Sequence, residues 1–281
     1  MAAPQRQPEM PDLRVVPVAE LLLHEQHDAQ RTEPLLQRLK CDGVLKNPPV
    51  VAPIRGEPRY VVLDGANRVT VMRALGMAHV VVQAVDYEDA DLIVDTWHHL
   101  IKGVGADRVR AMLQARQRVK IDLADAAHAR AQLARREILA FVEYPNGEVW
   151  TLQASGDLHQ RSRRLNEIVD LYKGQARVFR ASTDHLASLL PLHEDAAALV
   201  VFPRFAPAEI IDLARVGACL PAGITRHVIP RRALRVNVPL TVLSRDASLS
   251  EKNAWLADWL AQREASRAVR YYHESTFLFD E

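Results

Sequence analysis

Two hydrophobic periods alternate along this chain, one close to 2 residues and one close to 3.6. "LRVVPVAELLLHE" (13–25) starts as a strand and passes into a short helical turn. "RTEPLLQRLKCDG" (31–43) has helical spacing: Thr32 is placed to cap it, Pro34 falls in the first turn, Leu35, Leu36 and Leu39 share a face, and Gly43 ends it. "PPVVAPI" and "RYVVLDG" are β-branched runs bounded by Pro and Gly, hence strands. "NRVTVMRALG" returns to the helical period, with Val69, Met72 and Leu75 on one side and Gly76 as the stop. "HVVVQAVDY" is a third strand, so residues 14–87 form an α/β unit.

From Lys102 to Arg136 the pattern is helical and basic, with nine Lys/Arg against three acids. Beyond it, "REILAFVEYPNGEVWTLQA" predicts a hairpin around Asn146-Gly147. "RSRRLNEIVDLYKG" and "PAEIIDLARVG" are helices closed by Gly174 and Gly217, and "DAAALVVFPRF" carries a buried strand. In "SLSEKNAWLADWLAQ", Ser248 and Glu251 have the spacing of a capping box, and Trp255, Leu256, Trp259 and Leu260 predict the packing face. "RYYHESTFLFDE" is aromatic and strand-like. The fold class expected is α+β: a loose arm over residues 1–13, a first domain over 14–101 and a mixed second domain over 102–281.

Composition changes this picture little. The 281 residues are 48% hydrophobic and 25% charged, with formal net charge +1. Near-neutrality gives no global argument for nucleic acid or an anionic surface. Cys41 and Cys219 lie far apart and read as free thiols. No apolar h-region opens the chain, and no run reaches the about 18 apolar residues of a spanning helix. A cytoplasmic protein is expected.

"VVLDGANR" (61–68) holds the candidate chemistry. A strand that feeds a helix through glycine leaves backbone N–H groups and the positive end of a helix dipole facing outward, a setting that favours an anion. Gly65 would let the backbone come close to it. Arg68 could reach a phosphate with two N–H groups, and Asp64 could hold a divalent cation or orient a hydroxyl. The plainer alternative is local: Asp64 caps the helix, Gly65 makes the turn and Arg68 is solvated. Walker A, GxGxxG, HExxH and Cys/His-cluster motifs are all missing from the sequence. His98 and His99 follow Trp97, but neighbours on a strand point to opposite faces and cannot easily share a metal.

"LHEQ", "VVLDGANRVTVMRALG", "VDTWHH" and "LPAGITRHVIPRRALRVNVPL" occur in one order. Together they resemble the free L-serine kinases built on the ParB/sulfiredoxin-like fold, which include archaeal ADP-dependent and siderophore-associated ATP-dependent enzymes. The bacterial siderophore type is the closer match, and the resemblance runs from about residue 14 to the C-terminus. It implies phosphoryl transfer from ATP or ADP, with Mg2+, to the hydroxyl of free serine. The product would be O-phospho-L-serine, for siderophore or other specialised amino-acid synthesis. Glu25 would orient or deprotonate that hydroxyl. Asp64, Gly65, Ala66, Asn67 and Arg68 would hold nucleotide phosphate, with Asp64 also on the magnesium and counted with Glu25 as catalytic. Trp97, Thr225, Arg226 and His227 would form the pocket for the amino acid or its product.

One departure stands out. The family usually has histidine at one or both positions after Asp-Gly, and here they are Ala66 and Asn67. Asn67 can still donate to a phosphate, whereas Ala66 offers nothing polar. That implies slower transfer, a different donor or lost activity. Two other readings compete. A ParB-like DNA-binding regulator would draw on the basic stretch 102–136. A haem- or ligand-sensing module would keep the pocket without the chemistry. A homodimer is left open.

Overall fold

The structure is a computed structural model that describes residues 10–115 and 119–271. The chain divides into two units, each assembled from separated stretches. The described residues of the first are 10–21, 29–89 and 229–271; those of the second are 22–28, 90–115 and 119–228.

In chain order, the elements up to residue 89 are β1 (Asp12–Pro17), β2 (Leu21–Leu23), α1 (Ala29–Asp42), β3 (Val44–Leu45), β4 (Val50–Pro53), β5 (Tyr60–Asp64), α2 (Ala66–Ala74) and β6 (His79–Ala84). A 3-10 turn, Val18–Glu20, joins β1 to β2. The sheet order is β1-β6-β4-β5-β2, with β4 and β6 parallel and β1–β6 and β4–β5 antiparallel. Val51, Val61, Val80, Val81 and Val82 are wholly buried, as are Val69 and Met72 of α2. Residues with this β-branched run cannot satisfy an amphipathic helix and bury both faces of their strands instead.

The second unit contributes β7 (Ile93–Thr96), β8 (His98–Lys102), α3 (Ala106–Gln114), β9 (Lys120–Ala124), α4 (Ala126–Ala134), β10 (Ala140–Glu143), β11 (Val149–Gln153), α5 (Leu158–Tyr172), β12 (Arg177–Ala181), β13 (Ala196–Val201), α6 (Pro207–Arg215) and β14 (Thr225–Val228). Six of its strands form an antiparallel sheet in the order β12-β8-β13-β10-β11-β9. Phe141, Leu199 and Val201 are buried in its core with Ala129 and Leu133 of α4. Separately, β14 pairs with β7. The chain then returns to the first unit with β15 (Val238–Pro239), α7 (Leu240–Ser244) and α8 (Leu249–Ala265). On α8, Asn253 Oδ1 accepts the Val15 N–H at 2.8 Å, and its Nδ2 donates to the Val15 carbonyl at 3.0 Å.

Several expectations need correction. The stretch 102–136 is not continuously helical: β9 lies inside it and pairs with β11. β9 is an edge strand whose Leu123 is exposed; its alternation, Lys120-Ile121-Asp122-Leu123, is short and lies between two helices, where the basic run masks it. α1 begins at Ala29, which puts Thr32 within the helix and Pro34 beyond its first turn. On α8 the buried residues are Lys252 and Leu256, while Trp255 and Trp259 stack on each other at 5.1 Å, half-buried. The Ser248–Glu251 capping box and the glycine stops at Gly43, Gly76, Gly174 and Gly217, all with positive φ, are present as expected. Residues 1–9 of the predicted arm and 272–281 of the predicted last strand lie outside the described residues. Among the described residues, no helix is long and apolar enough to cross a membrane.

Candidate functional site

The predicted site residues fall into two groups, one in each unit. In the first unit, β5 ends at Asp64 and α2 starts at Ala66. Gly65 between them has φ +102°, and a Cβ there would sit 2.9 Å from Arg68 Nε. Only glycine takes this backbone without strain and leaves the guanidinium its place. Gly65, not Asp64, is the N-cap of α2, and no side chain caps the helix. The local alternative therefore fails for Asp64: its carboxylate is spent on arginines. Arg68 Nη2 donates to Asp64 Oδ2 at 2.5 Å, and Arg232 Nη2 donates to the same oxygen. Arg68 Nη1 also donates to the carbonyls of Asn47 (2.8 Å) and Pro48 (3.1 Å). Arg68 is thus fastened to its own unit, with Nε and one Nη2 proton left over.

Burial raises the Asp64 pKa, but the charges of Arg68 and then Arg232 outweigh it and hold the carboxyl below its usual value. Asp64 is ionised at neutral pH. Both arginines bind Oδ2, and no described group bonds Oδ1. A single free carboxylate oxygen fits a magnesium ion that arrives with nucleotide phosphates, because Mg2+ commonly takes one or two carboxylates and completes its shell with phosphate and water. No group of three or more His, Cys, Asp or Glu among the described residues could hold a metal by itself. Ala66 and Asn67 are the first two residues of α2, both half-buried; the amides at this helix start have no carbonyl one turn earlier within the helix.

Arg232 escaped the sequence reading. It lies in the loop after β14, which Gln83 and Asn47 hold through main-chain groups: Ala233 N–H to Gln83 Oε1 (2.8 Å), Gln83 Nε2 to the Arg231 carbonyl (3.1 Å) and Arg235 N–H to Asn47 Oδ1 (2.8 Å). The one signal available was the Arg-Arg pair inside a stretch already singled out.

The second group surrounds Glu25. The chain at 24–26 bridges Leu220, with Leu220 N–H to the His24 carbonyl at 2.7 Å and Gln26 N–H to the Leu220 carbonyl at 2.8 Å. This brings the carboxylate to the turn before β14. Glu25 Oε2 accepts the Gly223 N–H at 2.9 Å, and Oε1 accepts both the N–H (2.6 Å) and the hydroxyl (2.5 Å) of Thr225. Gly223 has φ +74°, and the Arg180 guanidinium lies against it where a Cβ would be. A carboxylate oxygen accepts about two hydrogen bonds. Oε1 is full and Oε2 keeps one position, on a half-buried side chain that a ligand can reach.

β14 and β7 place the other predicted residues by register: Thr225 opposite Thr96, Arg226 opposite Asp95, His227 opposite Val94. Trp97 N–H donates to the Ile224 carbonyl at 2.9 Å. The Arg226 guanidinium stands 4.5 Å over the Trp97 ring, with Asp95 Oδ2 3.9 Å away. Asp95 is engaged more closely by Arg204, at 2.9 Å. Arg226 is therefore aimed by stacking and only loosely paired, which leaves its fork for an anion. The His227 ring meets the His24 ring edge-on at 5.4 Å.

His98 and His99 behave as neighbours on a strand should. His98 Nδ1 accepts the Phe202 N–H at 3.2 Å, and His99 Nδ1 meets the Tyr172 hydroxyl at 2.8 Å. Burial pulls their pKa values down to about 4 and about 3, so both are neutral at pH 7 and serve the core.

No protein-family model matches the chain. Curated relatives do. The ATP-dependent L-serine kinase SbnI of Staphylococcus aureus is 26% identical over 271 residues, covering 96% of this chain and 97% of that protein. The chain resembles the free L-serine kinases. The ADP-dependent L-serine kinase SerK of Thermococcus kodakarensis is 23% identical over 226 residues, 78% of this chain and 88% of that one. Among solved structures, a C-terminally truncated SbnI from Staphylococcus aureus superposes with TM-score 0.70 at 22% identity, over 90% of this chain and 97% of that one. A free serine kinase in complex with AMP gives TM-score 0.70 at 20% identity, over 85% and 98%. The α+β fold of this chain is the fold of those enzymes.

Proposed function

We propose that this protein is a nucleotide-dependent kinase of free L-serine, producing O-phospho-L-serine. The observation that carries this reading is the Glu25 carboxylate, fixed by two main-chain N–H groups and one hydroxyl with a single acceptor position left on Oε2. The resemblance to L-serine kinases over 96% of the chain supports it.

In this reading Glu25 Oε2 accepts the proton of the serine hydroxyl as that oxygen forms its bond to the terminal phosphorus. The bond from phosphorus to the bridging oxygen breaks, and the shorter nucleotide leaves with the electron pair. Catalysis of this kind is mostly positioning and charge neutralisation. Asp64 would hold the nucleotide-borne magnesium through Oδ1, and the Gly65 turn with the Ala66 and Asn67 amides would meet phosphate oxygens. The magnesium would supply neutralisation of phosphate charge. Arg226, stacked on Trp97, would take the serine carboxylate with its fork, with Thr225 and His227 completing that pocket. The donor is ATP or ADP.

Against a regulator reading on the basic stretch 102–136, six of its nine Lys and Arg are ion-paired among the described residues. Lys102 pairs with Asp195, Arg110 with Asp107 and Glu148, Lys120 with Asp122, Arg130 with Asp184, Arg135 with Glu137 and Arg136 with Glu209. These charges are neutralised within the protein, where a nucleic-acid surface would keep them for phosphates.

The deciding experiment incubates purified protein with magnesium, a panel of nucleoside di- and triphosphates and a panel of amino acids, and follows products by phosphorus NMR. A serine-dependent phosphomonoester signal with matching loss of donor is expected. Donor loss indifferent to serine, or no product with any donor, overturns the reading.

A further inference from the structure

His24 is buried, and its Nε2 stands 2.7 Å from Thr225 Oγ1. That hydroxyl is also 2.5 Å from Glu25 Oε1, which already accepts the Thr225 N–H. In that bond the hydroxyl donates and the carboxylate oxygen accepts, so the hydroxyl proton belongs to the bond with Glu25. A hydroxyl has one proton to give. Nε2 of His24 must then be the donor in the remaining contact, which fixes a proton on that nitrogen. The order of donation is His24 to Thr225 to Glu25.

We infer that His24 is a positioning residue for Glu25: through the Thr225 hydroxyl it locks Oε1 and leaves Oε2 as the one oxygen that can face an acceptor. Thr225 accordingly spends its proton on Glu25 and has none to offer a carboxylate or phosphate. Its place beside the acceptor comes from aiming the base, and the anion falls to Arg226. Removing His24 frees the hydroxyl to turn, and the carboxylate loses the partner that fills Oε1. The catalytic role rests on the kinase reading, whereas the direction of the bonds does not.

Two measurements keep the failures apart. Nitrogen-15 spectra of histidine-labelled protein report which ring nitrogen of His24 is protonated, with no need for turnover. Protonated Nε2 in the wild type, with its resonance displaced in Thr225→Val but retained in Thr225→Ser, is expected. A bare Nε2 overturns the inference whether or not the protein phosphorylates serine. Steady-state kinetics then tests the role. His24→Phe should lower kcat at least tenfold with serine KM within about twofold of wild type, and His24→Gln, whose amide can still donate to Thr225, should recover most of that loss. A His24→Phe enzyme with unchanged kcat, or one whose loss lies wholly in serine KM, overturns it.

Discussion

Two carboxylates carry the proposed chemistry, and they are held in opposite ways. Asp64 sits between two guanidinium groups that share one of its oxygens. Glu25 is gripped by two main-chain N–H groups and a hydroxyl, all neutral. Charge is a long-range, forgiving restraint: it fixes ionisation but tolerates small displacement. Short hydrogen bonds to the main chain fix position and direction but bring no net charge. A group that holds a metal beside phosphates needs the first kind of restraint, and one that must meet a single proton along a single line needs the second.

The sharpest way to break this comparison is Glu25→Gln. The amide keeps the shape but turns an NH2 group toward a donor or toward the acceptor. We expect kcat to fall by about 10²–10⁴, the usual weight of a positioned acid–base group, with nucleotide affinity unchanged by titration calorimetry. Turnover within a few-fold of wild type removes Glu25 from the mechanism. Arg226→Ala comes next. It should raise serine KM by about tenfold or more while kcat changes less, because a carboxylate loses its fork; a normal KM places the serine pocket elsewhere.

Asp64→Asn tests the charged restraint. The folded pKa lies below the unfolded value, so the wild-type contribution is complete above about pH 4 and is lost as pH falls through the folded pKa. With Asp64 partly exposed, we expect a loss of about 1 kcal/mol at neutral pH. The stability difference between variant and wild type should shrink in urea titrations below pH 4. A constant difference across that range denies the ion pairs their role. The smallest effect is expected from Ala66→His, a few-fold gain in kcat if the lack of a polar side chain at the helix start limits transfer; a flat result shows that the amides already suffice.

The Asp-Gly turn was legible because a strand period meets a helix period across a glycine, and that junction leaves little choice of backbone. The distant partners of both carboxylates were not. Arg232 is 168 residues from Asp64, and Thr225 is 200 from Glu25. Periodicity records which face of an element is buried but not which distant element covers it. β9 hid for a different reason: its polar–apolar alternation, Lys120 to Leu123, covers only four residues, and its arginine-rich surroundings resembled a solvated helix.

Asn253 gives the outer edge of β1 what a neighbouring strand would give, a donor and an acceptor for Val15. The two partners are 238 residues apart. On the ribosome, β1 therefore emerges well before its edge partner and keeps a bare hydrogen-bonding edge until Asn253 has been made. The second unit is synthesised entirely within that interval, so its fold can be complete before the first unit closes. Until α8 arrives, that unpaired edge is a template on which other chains can pair.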